Sequence, residues 1–179
     1  MAARTLGPVT IRTCLCLIIR PAGDGGSEVL LGFKKTGFGA GRWVGLGGHV
    51  EDGEEFADAA AREVAEESSL AVQPSALTHL ATLNFRFPAR PSWDQVAEVF
   101  VATDFSGEPA ESDEVIPRWF ASTALPFDGM WDDAKYWVPA VLAGRRVVAD
   151  VTFADDCATV ATIDPDPRPA MPVLGGRLA

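Results

Sequence analysis

Long apolar runs are missing from this chain, and no stretch reaches the roughly 20 residues that a helix needs to cross a bilayer. A membrane-spanning protein is not expected. Residues 1–8 hold no apolar core behind a charged lead, so they do not read as a secretory signal. Cysteine is scarce too. Cys14, Cys16 and Cys157 are too few for a disulfide framework, and such a set suits a reducing cytoplasm. Cys14 and Cys16 stand two apart in an apolar run and read as buried thiols on one strand face; zinc sites take more ligands at wider spacing. Positive charge is the third shortage: 15 Lys and Arg face 25 Asp and Glu, for a formal net charge of −10. Binding a nucleic-acid polymer requires basic side chains to neutralise phosphates, so that partner is not expected. A small phosphorylated ligand remains open, because a metal ion can screen its charge. Internal repeats are absent, and so is the loop spacing of an EF-hand. Nothing calls for a partner chain, and a monomer is expected.

What is present is one domain's length with enough apolar residues for a real core. Residues 10–19 and 28–34 read as a strand hairpin across a Gly-rich turn. A glycine-rich loop at 37–41 leads to a short strand at 43–46. Phe56, Ala59, Ala60 and Val64 recur at i, i+3, i+4 and i+8, which predicts a helix over 55–68. Further strands are expected at 79–87, 96–103 and 118–120, the last preceded by an acidic loop at 108–114. A second helix is expected over 132–143, with Pro139 inside it, and a terminal hairpin at 146–153 and 159–163. Residues 1–9 form an extension, 10–163 the domain, and 164–179 a proline-dense tail expected to be mobile. Strands dominate with two helices between them, so the expected class is α+β with a mixed sheet between helices.

The acidic segment concentrates the chemistry. Gly47 and Gly48 allow unusual backbone angles before a loop carrying Glu51 and Glu54. Glu63, Glu66 and Glu67 then stand at i, i+3 and i+4 on the helix and are expected to share one ridge. Three like charges there repel. A hard divalent cation bound through oxygens would offset the repulsion, and Mg²⁺ is typically held by a few carboxylates together with waters and phosphates. Arg62 lies four residues before Glu66 and reaches Glu54 if the loop folds back, fixing loop to helix. The run also has a bland reading, a solvated Glu-rich face. Lys34, Lys35 and Arg42 are the cations available to a phosphate, or generic surface charge. His49 and His79 show no partner pattern.

Gly48, Glu54, Arg62, Glu63, Val64, Glu66, Glu67 and Leu70 together resemble the Nudix box, G-x5-E-x7-R-E-U-x-E-E-x-G-U. Ser69 departs from it, standing where the pattern has glycine at a helix C-cap. The likeness extends through residues 30–43, Glu111, Glu114, Trp119, Phe120, Met130, Trp131, Tyr136 and Trp137, which are similar to the MutT-related branch that hydrolyses oxidised purine nucleoside triphosphates. The resemblance implies the Nudix fold, an α/β/α sandwich around a mixed sheet. It also implies hydrolysis of a nucleoside triphosphate to monophosphate and pyrophosphate with Mg²⁺, or Mn²⁺ in its place. By the same resemblance the Gly47 carbonyl, Glu63 and Glu67 would bind metal, and Glu66 would ligate or orient water. Glu114 matches an outlying acidic ligand or base. Gly48, Glu54 and Arg62 would be structural.

Phe38, Met130 and Trp131 match the apolar walls of that branch's base pocket, which is read by an asparagine and two adjacent aspartates. Val44 occupies the asparagine position, Asp133 the first aspartate and Ala134 the second. A one-residue shift would instead make Asp132 and Asp133 the pair. Losing polar contacts weakens selection by about a kcal/mol or more each, so the implied substrate is a purine triphosphate read by a different or looser code. Two rivals stand beside it: a pyrophosphatase for a nucleotide-sugar or dinucleoside polyphosphate, and a nucleotide-binding module without turnover.

Overall fold

The computed structural model describes residues 11–23 and 25–168. The 1–9 extension and the part of the tail beyond residue 168 lie outside these residues. Eight strands and two helices follow one another as β1 (Ile11–Pro21), β2 (Ser27–Lys34), β3 (Trp43–Val44), α1 (Phe56–Ser68), β4 (Thr78–Arg86), β5 (Gln95–Ala102), β6 (Val115–Ala121), α2 (Ala134–Leu142), β7 (Val147–Phe153) and β8 (Val160–Asp164). The sheet is mixed, in the order β3-β2-β1-β5-β4-β7-β8, with β6 paired to β2. β1 runs parallel to β5 and β4 parallel to β7, and the remaining pairs are antiparallel.

Strand alternation sorts the apolar side chains onto two faces. Cys14, Cys16, Ile18, Leu30 and Phe100 form one core, and α1 covers it with Ala59, Ala60 and Val64. Leu17, Leu31, Leu83, Val99 and Val151 form the other, under Trp137, Val138 and Val141 of α2. The two cysteines are buried in the first core, where desolvation pushes Cys14 up to about 11 and Cys16 up to about 12. Thiols of that kind are inert at neutral pH. α2 begins two residues later than its expected start, leaving Asp132 and Asp133 ahead of the first turn. Three short 3-10 turns at Pro74–Ala76, Pro91–Trp93 and Phe127–Gly129 lie in stretches without hydrophobic periodicity, so pattern alone could not reveal them.

The site is positioned by the unequal use of β1. Only Ile18 to Pro21 pair with β2. The other half of β1 takes the loop after β3: Leu46 exchanges backbone hydrogen bonds with Cys16, the Cys14 N–H donates to the Gly48 carbonyl, and the Val50 N–H donates to the Arg12 carbonyl. A Cβ at Gly47 would run into the Cys14 carbonyl oxygen, so glycine is what allows this approach. The loop thus lies flat on the sheet and delivers α1 with its acidic turn beside it.

At the far end of α1, Ser69 takes the left-handed conformation (φ 63°, ψ 8°), with its N–H donating to the Ala65 carbonyl. A residue with a Cβ is strained there. Ser69→Gly should therefore stabilise the protein by about 1 kcal/mol, read as a shifted urea midpoint at constant m-value.

Candidate active site

Arg62 is the hub of the acidic turn. Its Nε and Nη2 grip both oxygens of Glu54 at 2.9 Å each, and Nη2 also donates to the His49 carbonyl at 3.0 Å. Nη1 donates to Glu63 at 2.9 Å and Glu66 at 3.2 Å. The loop does fold back, and the Glu51 N–H donates to Glu54 at 3.0 Å. The bidentate arginine pulls Glu54 down to about 2, and the same contacts push the Arg62 guanidinium above its usual range.

The three glutamates do not form one outward ridge, as their spacing suggested. Glu67 is 3 % exposed while the Glu66 side chain is 59 % exposed. The helix sits with its 67 side against the sheet, so Glu67 points under the loop and accepts the Gly47 N–H at 2.9 Å. Glu63 lies between them, close enough that a Cβ at Gly48 would strike its carboxylate. Burial raises Glu63, with Arg62 opposing, and raises Glu67, with Lys34 and the Gly47 N–H opposing. Lys34 stands on the far side of Glu67, its Nζ 3.2 Å from Glu67 and 3.7 Å from the exposed Glu114. It links the box to the outlying glutamate.

The other two candidate cations are held elsewhere in this structure. Lys35 turns to Glu111 and the Ser112 carbonyl. Arg42 donates to the Met130 carbonyl at 3.2 Å and lies 4.4 Å over the Trp131 ring, outside the lining of the main cavity.

That cavity holds about 450 Å³ and runs from Lys34, Gly47, Gly48 and Glu114 to an apolar end walled by Phe38, Val44, Met130, Trp131 and Ala134. Phe38 stacks on Trp131 at 5.0 Å and 19°, so in this state Phe38 itself occupies a stacking partner's place against the indole. Asp133 lies at the apolar end, 4 % exposed, and accepts the Trp137 indole N–H at 2.7 Å. Asp132 does not join it: it accepts the Val160 N–H at 2.9 Å, pairs with Lys135 and takes no part in the cavity wall. Sequence reading missed several lining residues, among them Trp93, Gln95, Phe85, Phe87 and Phe153. For Phe85, Gln95 and Phe153 the period-2 pattern of β4, β5 and β7 carried that signal, but only the structure tells which face is the cavity.

The NUDIX domain model matches residues 10–141. The chain belongs to the Nudix family. It is 40 % identical over 141 residues to the oxidized purine nucleoside triphosphate hydrolase of Mus musculus, covering 79 % of this chain and 85 % of the relative. The Danio rerio protein of the same name is 41 % identical over 139 residues, covering 78 % and 84 %. Among solved structures, a MutT protein from Bacillus halodurans superposes with a TM-score of 0.72 at 22 % identity, over 89 % of this chain and 99 % of that one, which establishes the shared fold.

Nudix hydrolases use divalent metal ions. The donor set suits such an ion, being oxygen throughout, and the Lys34 ammonium already stands as a cation between Glu67 and Glu114. Among the described residues no three acidic, histidine or cysteine side chains converge as a ready-made cage, because Arg62 and Lys34 hold the carboxylates. No described helix is long and apolar enough to cross a membrane.

Two outcomes follow from these placements. Lys34→Met leaves Glu67 buried without its cation, which should destabilise the metal-free protein by about 3 kcal/mol; millimolar divalent cation should restore much of this in thermal melts run with and without chelator. Burial raises Asp133 to about 6, with the Trp137 N–H opposing. The folded state then keeps a proton that the unfolded chain releases, so stability drains away as pH rises from about 4 to about 6. The rise is worth about 3 kcal/mol. Asp133→Asn should gain roughly that much over wild type at pH 7.5 and nothing at pH 4 in urea titrations.

Proposed function

We propose that this chain hydrolyses purine nucleoside triphosphates, oxidised or otherwise modified ones included, to monophosphate and pyrophosphate with Mg²⁺ as cofactor. Removal of damaged nucleotides from the pool is the corresponding role, as the names of the mouse and zebrafish relatives suggest. The observation that carries the reading is the single cavity that joins the acidic turn to an aromatic-walled end. Its volume suits one small ligand, and its two ends differ as a nucleotide's ends do.

Lys34 is the only fixed positive charge among the described lining residues, and it is already shared by Glu67 and Glu114. A triphosphate therefore needs a cation to accompany it. Glu63, Glu67 and the Gly47 carbonyl would hold that ion, with Glu66 and Glu114 as further ligands or as the groups that orient and deprotonate water. When bound, the ion would neutralise charge on the phosphates and acidify the attacking water. Lys34, released from the carboxylates, is placed to meet the phosphate chain. Arg62 holds Glu54, Glu63 and the loop, and touches no reacting atom. At the other end Phe38, Met130 and Trp131 enclose the base, while Val44 and Ala134 offer it no hydrogen bond. Water attack that cleaves the bridge between the α- and β-phosphates yields the two products. A monomer in a reducing cytoplasm is consistent with three free buried thiols.

Glu67→Gln keeps the side-chain shape and removes the charge. It should lower kcat by at least about a hundredfold, while the wild type releases monophosphate and pyrophosphate from purine triphosphates in a Mg²⁺-dependent assay with product identification. Turnover of nucleotide-sugars or dinucleoside polyphosphates alone would reassign the substrate. Tight nucleotide binding without any turnover would make the chain a binding module.

A further inference from the structure

Gln95 opens β5, on the face that Ala97, Val99 and Val101 share with the second core. It is in register with Ile11 of β1 and with Phe85 of β4, and all three line the cavity. Val96 and Glu98, of opposite parity, do not. A half-buried carboxamide therefore stands between an isoleucine and a phenylalanine on the cavity wall.

Two other polar side chains of the cavity wall are engaged. The Thr13 hydroxyl donates to the Val96 carbonyl at 3.1 Å, and one Asp133 oxygen accepts the Trp137 N–H. Gln95 makes no side-chain hydrogen bond among the described residues. A polar group flanked by apolar side chains and lacking a partner is unfavourable unless a ligand or water satisfies it. Its chemistry also narrows the ligand. A carboxamide presents an acceptor beside a donor, and it pairs bidentately with a base edge that presents a donor beside an acceptor, such as the 6-amino group and N7 of adenine.

Resting on the triphosphate reading above, we infer that Gln95 is a base-reading residue of this chain. It supplies, from β5, the polar contact that Val44 and Ala134 do not provide, and it selects purines with a hydrogen-bonding substituent at C6. Asp133, at the same end, offers a second contact to such an edge.

The test compares kcat/KM for the deoxy-triphosphates of adenine, guanine and unsubstituted purine in wild type, Gln95→Met and Gln95→Glu. Wild type should favour at least one C6-substituted base over unsubstituted purine by about tenfold or more, mainly through KM. Gln95→Met, of similar size but without polar ends, should erase that ratio. Gln95→Glu keeps the length and loses the donor, and should also reduce it. Melting temperatures report that both variants fold. An unchanged ratio, or an equal loss on all three substrates, would overturn the assignment while leaving the triphosphate activity standing. Absence of pyrophosphate release from every triphosphate by the wild type would overturn the triphosphate reading, and this assignment with it.

Discussion

Five N–H donors on one guanidinium hold the acidic turn together. Glu54, Glu63 and Glu66 crowd a short loop and the second half of a helix, and without a cation among them their repulsion would splay the segment. Arg62 gives two donors to Glu54, one each to Glu63 and Glu66, and one to the His49 carbonyl. A planar fork can do this where an ammonium cannot, because the five bonds have fixed and different directions. The result ties residues 49, 54, 63 and 66 into one rigid body. That body is pinned to the sheet by the backbone bonds of Leu46, Gly48 and Val50 to β1.

Glu67 makes no hydrogen bond with Arg62 and stands in different surroundings. It lies under the loop, held by the Gly47 N–H and by Lys34. Burial works against its charge, and those two contacts work for it. A carboxylate poised in this balance gains from a stronger cation, which is the condition for favourable metal binding in an otherwise closed turn. The apolar end is built independently. Its walls come from the 37–41 loop, β3 and the segment leading into α2, with β4 and β5 beside them, and none of these shares a hydrogen bond with Arg62. Residues such as Val44 and Ala134 can therefore vary without disturbing the acidic turn.

Much of this was legible in the residues. Periodicity located the strands, α1 and the terminal hairpin, because alternating and 3.6-residue patterns both record a buried face. The Nudix resemblance followed from spacing that only a few positions of the box can vary. What the spacing could not convey was orientation. Glu66 and Glu67 are neighbours in sequence and opposite in exposure, since burial depends on the angle at which α1 meets the loop. Arg42 looked like a phosphate ligand from its position near the box, yet the nearest carbonyl and indole captured it. Asp132 and Asp133 were interchangeable as letters until the Val160 N–H and the Trp137 indole separated them. Gln95 lies just outside the strand expected at 96–103, and its register with Ile11 and Phe85 places it on the cavity wall.

The net charge of −10 constrains how such a site can work. A polyanionic ligand approaches an acidic protein against its field, and long-range steering opposes the encounter. Inside the cavity Lys34 is already committed to two carboxylates, so it cannot attract phosphate and keep Glu67 charged at once. A divalent ion would answer both difficulties: it would reduce the ligand's charge, and Glu67 and Glu114 could hold it in place of the ammonium, leaving Lys34 free for phosphates. Ion and nucleotide would then favour each other's binding, with the same coupling whichever arrived first. On the proposed reading, selectivity for phosphorylated ligands would arise from a shortage of positive charge, and selectivity for the base from the aromatic-walled end of the cavity.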